Sequence, residues 1–123
     1  MHVVAAVIEV DARVLVTRRL RGTHLEGLWE FPGGKIDPGE THDAALRREI
    51  REELDADVDV GPLVLATAHD YPERRVHLYF YRCTLTTTLR PMLGQEARWV
   101  PRAELGTLEF PAADAELLAL LTA

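Results

Sequence analysis

A single cysteine, Cys83, is all the thiol that the 123 residues contain. One thiol excludes an intramolecular disulfide and any metal site built from several thiolates. It suits a reducing compartment. No run approaches the ~20 consecutive apolar residues needed to span a bilayer. Basic residues are in deficit, with 14 Lys and Arg against 20 Asp and Glu and a formal net charge of -6. Such a chain is a poor holder of a nucleic-acid backbone, whose phosphates need Lys and Arg. Acids that cluster would bind cations instead. Met1 to Val10 carries Glu9 and has no basic flank before its apolar run, so it does not read as a signal peptide. The expected setting is the cytosol. Repeats, low-complexity segments and linkers are also lacking, and the length is that of one compact domain, residues 1–123.

What is present is 47% hydrophobic, enough for a real core. Val3 to Val10 and Arg13 to Arg19 are β-branched apolar runs separated by Asp11-Ala12, which predicts a hairpin. Leu20 to Glu30 is irregular. Phe31-Pro32-Gly33-Gly34 and Asp37-Pro38-Gly39 are breaker clusters. A helix is expected from about Thr41, a good N-cap with Asp43 in the first turn, to Leu54–Ala56. Val58 to Ala68 and Arg75 to Thr84 read as strands joined at Tyr71 to Arg74. In the second, Val76, Leu78 and Phe80 share one face and His77, Tyr79 and Tyr81 the other. A short strand at Ala97 to Val100, a helical turn at Pro101 to Leu105 and a helix over Ala112 to Leu121 complete the chain. The order of strands, helix, strands, helix predicts an α+β fold with a mixed sheet packed by helices.

The sharpest feature is Arg48-Glu49-Ile50-Arg51-Glu52-Glu53. At ~100° per residue, Glu49, Glu52 and Glu53 fall within about a 100° arc beside the apolar stripe Leu46, Ile50 and Leu54. Arg47, Arg48 and Arg51 project the other way on that wheel. A solvated helix face mixes signs at i,i+4. Three crowded glutamates repel one another unless a cation joins them. Hard divalent ions such as Mg²⁺ take carboxylate oxygens and keep waters that bridge to phosphates. A carboxylate can alternatively take a proton from an attacking water. Gly33-Gly34 lets backbone approach a metal or phosphate closely. Lys35 does not make this a P-loop, because the G-x-x-x-x-G-K-[ST] spacing is absent.

These residues resemble the Nudix box, G-x5-E-x7-R-E-U-x-E-E-x-G-U with U aliphatic. Gly34, Glu40, Arg48, Glu49, Ile50, Glu52 and Glu53 match seven of the nine fixed positions without a gap. Asp55 stands in place of the glycine and Ala56 in place of a larger aliphatic residue. Asp tolerates the left-handed conformation expected there at a cost of roughly 1 kcal/mol over Gly. Leu28-Trp29-Glu30-Phe31-Pro32-Gly33-Gly34-Lys35-Ile36 is similar to the MutT branch of nucleotide-pool pyrophosphohydrolases. So are Thr17-Arg18-Arg19, Tyr71-Pro72-Glu73-Arg74 and Phe110-Pro111-Ala112-Ala113-Asp114.

The resemblance implies a Nudix α/β/α sandwich and a Mg²⁺-dependent hydrolase, with Mn²⁺ as a substitute ion. Glu49, Glu52 and Glu53 would bind metal beside the Gly34 carbonyl, with Glu49 doubling as general base. Arg48 would orient the glutamates and Glu40 would support the loop. Water would attack the β-phosphorus of a nucleoside triphosphate, giving a nucleoside monophosphate and pyrophosphate. The family often adds a carboxylate just before Gly94-Gln95. Leu93 fills that slot, and Glu96 is the candidate replacement. No nucleic-acid or membrane partner is implied, and a monomer or weak homodimer is expected.

For substrate binding the resemblance points to Arg19, His24, Phe31, Lys35, Tyr71 and Asp114. The MutT pattern has asparagine at the position of Asp114, which donates and accepts; an ionised Asp only accepts, and a protonated one does both. Oxidised dGTP, slightly favoured, and (d)CTP-type substrates therefore both stay open. Asp114 as an ordinary N-cap of the last helix is the bland alternative. A non-catalytic nucleotide-binding module on the same fold is the other competing reading, motivated by Asp55 and Leu93.

Overall fold

The structure, a computed structural model, describes residues 1–18 and 27–123. Arg19 and His24 lie outside the described residues. Among the described residues, seven strands and two α-helices follow one another as β1 (His2–Val10), β2 (Arg13–Arg18), β3 (Trp29–Glu30), β4 (Gly33–Lys35), α1 (His42–Leu54), β5 (Val58–Tyr71), β6 (Arg74–Leu85), β7 (Glu96–Pro101) and α2 (Ala115–Thr122). Short 3₁₀ segments at Arg102–Thr107 and Ala112–Asp114 lead into α2.

β1 is the centre of the sheet. It pairs parallel with β6 over His2 to Ile8 and antiparallel with β4 over Val3 to Ala5. β5 lies outside β6, antiparallel to it. At its far end β1 turns into β2 through Asp11 and Ala12, both left-handed at φ 51° and 62°. That matches the two-residue turn whose twist suits a hairpin. β2 then carries β3 and β7 on its two sides, both antiparallel. The sheet is therefore mixed, as expected.

Two apolar layers cover it. Val4, Ala6 and Ile8 of β1 pack with Ala45, Leu46, Ile50 and Leu54 of α1, all essentially without solvent contact. Ala5 and Val7, pointing oppositely, join Phe80 of β6 and Leu117 and Leu121 of α2. A strand buried on both faces needs an unbroken apolar run, which is why Val3 to Ile8 does not alternate. The result is the α/β/α sandwich. Four α1 side chains buried against one face, at about 1.5–3 kcal/mol for each large one, fix the helix firmly.

The structure differs from the sequence reading around the glycine pair. Gly33-Gly34 is not a turn but strand β4, hydrogen-bonded to β1. Neither glycine has a positive φ. Their role is closeness: a Cβ on Gly33 would lie 2.7 Å from the Ala5 Cα. The last helix also starts later than Ala112, because Ala112–Asp114 winds as 3₁₀.

Candidate active site

α1 begins where Thr41 caps it, its hydroxyl accepting from the Ala44 N–H at 3.1 Å. It ends at Asp55, left-handed at φ 48°, ψ 42°, whose N–H bonds the Arg51 carbonyl. Asp therefore takes the conformation that glycine usually supplies. Between these caps the helix turns Glu49 and Glu53 toward β4, while Glu52 is exposed beside them and paired with Arg48.

Arg48 does not project away from the glutamates, as the helical wheel suggested. Its guanidinium swings back and bonds Glu40 twice, at 2.8 and 2.9 Å, Glu49 at 2.9 Å and Glu52 at 3.3 Å, and it donates to the Lys35 carbonyl at 3.0 Å. A long stem on one helix face can still reach the neighbouring face, which a wheel drawn from Cβ positions misses. The like-charge crowding inferred from sequence is thus partly relieved by an arginine. Those hydrogen bonds, followed by one from the Asp37 N–H, pull the Glu40 carboxyl down to about 2. Burial is the main effect at Glu49 and raises its pKa against the opposing pull of Arg48.

β4 closes over this acidic face. Glu53 accepts from the Gly33 N–H at 3.3 Å. Glu49 lies where a Gly34 side chain would be, since a Cβ there would meet its carboxylate at 2.5–2.6 Å. As they stand among the described residues, no three carboxylate, imidazole or thiolate groups converge on one point. Glu49 and Glu52 are held by Arg48, and Glu53 by Gly33. The donor set nonetheless fits a hard divalent cation: all oxygen, one carboxylate part-buried, and a backbone cradle left open by glycine. Glu96 stands at the start of β7, with its carboxylate 2.8 Å from Arg98 and 3.8 Å from Arg18. Serving as a ligand would require it to leave both.

The reading of the sequence missed Gln95. Its side-chain amide donates to the Glu53 carbonyl at 3.0 Å, and the Met92 N–H donates to the same oxygen at 2.9 Å. The Arg90 N–H takes the Leu54 carbonyl at 2.7 Å. The segment before β7 therefore satisfies carbonyls that the end of α1 leaves open. Nothing local in the sequence signals a contact spanning 42 residues. Replacing Gln95 with alanine should cost about 1 kcal/mol. It should also raise the divalent-ion concentration needed for half-maximal activity, because the backbone of Glu53 loses an anchor. A metal titration beside a thermal melt checks this; an unchanged titration would leave Gln95 a purely structural group.

Across β4 from the acidic helix lies a cavity of about 500 Å³. Its floor is Val76, Leu78 and Phe80 of β6, and Phe31 packs edge-on to Phe80 with ring centroids 6.0 Å apart. Phe31, Lys35, Tyr71 and Asp114 all line it, so four of the six residues named for substrate binding come together. Asp114 is only 6% exposed. Although it stands at the N-cap of α2, its side chain makes no capping hydrogen bond. Burial, and then the charge of Glu30, push its carboxyl up to about 7. The bland reading of Asp114 as a helix cap does not hold. Trp29 faces away and is buried, with the Arg98 guanidinium 4.7 Å over its ring. Trp99 packs beside the α1 core. Both tryptophans are structural, as expected.

An oxygen-rich acidic helix, a glycine strand against it and an apolar cavity beyond that strand make up the candidate site. Comparison with known proteins gives the family. A family model described as NUDIX domain matches residues 3–120. An 8-oxo-dGTP diphosphatase from Proteus vulgaris is 40% identical over 85 residues, covering 68% of this chain and 76% of that protein. A CTP pyrophosphohydrolase from Escherichia coli is 36% identical over 118 residues, covering 95% and 86%. The solution structure of MutT from methicillin-resistant Staphylococcus aureus superposes with a TM-score of 0.79 at 37% identity, covering 99% of this chain and 95% of that one. The chain belongs to the Nudix domain family. It is a Nudix hydrolase, an enzyme of nucleotide pyrophosphate bonds.

Proposed function

We propose that this hydrolase converts a nucleoside triphosphate to the monophosphate and pyrophosphate, with 8-oxo-dGTP as the favoured substrate and Mg²⁺ as the ion, replaceable by Mn²⁺. The observation that carries the reading is the placement of β4 between the two halves of the site. The acidic face of α1 lies on one side of Gly33-Gly34 and the cavity lined by Phe31 and Asp114 on the other. A nucleotide with its base in the cavity then extends its phosphates along β4 to the glutamates.

Glu49, Glu52, Glu53 and the Gly34 carbonyl would hold the metal, which when bound supplies Lewis acidity to the phosphate and neutralises charge developing on it. Glu49 takes the proton from the attacking water, which adds to the β-phosphorus as the bridging oxygen departs with the monophosphate. Arg48 and Glu40, locked together, keep Glu49 and the loop from Lys35 to Glu40 in place. Phe31 and Tyr71 enclose the base, Lys35 faces the phosphates, and Asp114 reads the base edge. Arg19 and His24 are kept as substrate-binding residues on the family pattern alone, and Glu96 as a spare metal ligand on proximity in sequence. We place the enzyme in the cytoplasm, as one domain acting as a monomer or weak homodimer on free nucleotides rather than on nucleic acid or a membrane. A (d)CTP or modified-pyrimidine triphosphate is the second substrate reading. It is supported by the CTP pyrophosphohydrolase relative and by the accept-only character of an ionised Asp114.

The expected result is pyrophosphate release, with Mg²⁺ present, strongest for one member of a panel of dNTPs and NTPs that includes 8-oxo-dGTP and 5-substituted dCTP. Release of orthophosphate alone would overturn the proposed cleavage point. Nucleotide binding without turnover would make the protein a binding module.

A further inference from the structure

We propose that His42 is a positioning residue for the hydrolysis: by tying the start of α1 to Tyr81 of β6, it holds the loop from Asp37 to Thr41 where Glu40 can grip Arg48. The inference rests on the reading that Arg48 orients Glu49 for the reaction. It adds residues that the Nudix box does not specify, since the motif leaves the positions between Glu40 and Arg48 open.

The loop needs such a tie. Among the described residues the backbone bonds of Asp37 to Thr41 stay local: the Glu40 N–H donates to the Asp37 carbonyl at 3.0 Å, and the Thr41 carbonyl accepts from the Ala45 N–H. The backbone link to the sheet comes earlier, where the Ile36 N–H donates to the His2 carbonyl at 3.0 Å. Beyond it an open groove of about 470 Å³ separates the start of β1 from the loop, walled by His2, Asp37, Gly39, Glu40 and His42. The His42 side chain reaches back to the sheet. Its Nδ1 shares a hydrogen bond of 2.7 Å with the Tyr81 hydroxyl, and its ring lies 4.4 Å from that of Tyr79. Tyr79 is fixed in turn by His2, whose Nδ1 is 3.0 Å from the Tyr79 hydroxyl and whose ring stacks on His77 at 4.7 Å. The alternation of His77, Tyr79 and Tyr81 along β6 thus builds a row of rings, and α1 joins that row through its first residue.

Helix propensity does not account for a histidine at this place. Histidine is a middling helix former, and the cap of α1 is the Thr41 hydroxyl, not the imidazole. What the ring gains is a partly buried hydrogen bond across 39 residues. Burial, with Asp43 and Tyr79 adding to it, raises the Tyr81 pKa, so the hydroxyl stays protonated and available to the ring. From this bond the path to the chemistry is short. Glu40 precedes His42 with only Thr41 between them. Its carboxylate takes the Arg48 Nε and Nη2 at 2.8 and 2.9 Å, and Nη1 of the same guanidinium holds Glu49 at 2.9 Å. With the tie to Tyr81 cut, the loop can move over the open groove, and Arg48 loses the two bonds that aim it. Glu49 then keeps its charge but loses its direction.

The test compares the wild type with His42→Ala, His42→Asn, Tyr81→Phe and the double variant His42→Ala/Tyr81→Phe. Two quantities are read. Steady-state hydrolysis of the triphosphate that the wild type cleaves fastest, at saturating Mg²⁺, gives kcat and KM. The NMR signal of the Arg48 Nε–H gives its rate of exchange with water. His42→Ala should lower kcat about tenfold and leave KM little changed, as for a group that aims a reacting residue rather than binding substrate. Its Arg48 Nε–H should exchange faster than in the wild type. Tyr81→Phe keeps the ring and should show a smaller loss of the same kind. Asparagine places a polar atom where Nδ1 stands, so His42→Asn should recover part of kcat. The double variant should be no worse than His42→Ala, because both changes cut one link. Variants that melt lower but keep wild-type kcat and wild-type Arg48 exchange would make His42 a purely structural group and overturn the proposal. Losses that simply add in the double variant would overturn it too. If the wild type hydrolyses no triphosphate, the proposed reaction fails, while the Arg48 signal still decides whether His42 holds the loop.

Discussion

Glu53→Gln is expected to lower turnover by about three orders of magnitude while the protein melts within a few degrees of the wild type. The two halves of this expectation come from different atoms. Structurally, the Glu53 carboxylate accepts a hydrogen bond from the Gly33 N–H at 3.3 Å. A glutamine carbonyl at the same place accepts it equally well, so the link between α1 and β4 survives. The backbone of residue 53 keeps its bonds from Gln95 and Met92. Removing one of three clustered negative charges also relieves repulsion, so stability has no reason to fall by more than ~1 kcal/mol. Chemically, the change removes a full negative charge from a site proposed to hold a divalent cation against a triphosphate. Such an ion supplies several kcal/mol of transition-state stabilisation. At 1.36 kcal/mol per tenfold, about 4 kcal/mol corresponds to about a thousandfold. Pyrophosphate release and a thermal melt on the same preparation decide it. Near-normal turnover would remove Glu53 from the metal site, and a collapsed melt would mean its charge was structural.

How much of this was legible before the structure depends on whether a feature is local. The limits of α1 were, because Thr41, the Leu46-Ile50-Leu54 stripe and the end at Asp55 are written within one segment. The two faces of β6 were also legible from the alternation of Val76, Leu78 and Phe80 with His77, Tyr79 and Tyr81. β4 was not, because glycine is ambiguous: the same pair that marks a turn also serves where two backbones must nearly touch, and only β1 reveals which. The direction of Arg48 was misjudged for a related reason. A wheel places Cβ atoms, whereas the guanidinium goes where Glu40 pulls it. Gln95 was passed over because it gains meaning only through a distant segment. Asp114 shows the converse case, a residue whose local pattern said helix cap and whose tertiary setting turned it into a cavity wall.

The adjacent glycines should separate fold from chemistry under the same substitution. In Gly33→Ala the new Cβ would overlap the Val4 carbonyl oxygen and lie 2.7 Å from the Ala5 Cα and 2.9 Å from the Val4 carbonyl carbon. All three are backbone atoms of the central strand, buried on both faces, and they have nowhere to move. Alanine gains roughly 0.5–1 kcal/mol over glycine in chain entropy, which is too small to offset separating β4 from β1. We expect a loss of about 3 kcal/mol or more, the upper range of overpacking, and a melting temperature lower by about 10 °C. In Gly34→Ala the obstacle is different in kind. The three atoms nearest the Cβ would all belong to the Glu49 carboxylate, at 2.5–2.6 Å, the far end of a flexible side chain. That carboxylate can swing aside, so the entropy gain and the displacement roughly cancel and stability should stay within about 1 kcal/mol. Turnover should nevertheless fall by at least about tenfold, since a small misplacement at a reacting centre is costly. Equal melting of Gly33→Ala and the wild type would disprove the close approach of β4 to β1. A stable Gly34→Ala with full turnover would show that the position Glu49 takes beneath β4 has no part in the reaction.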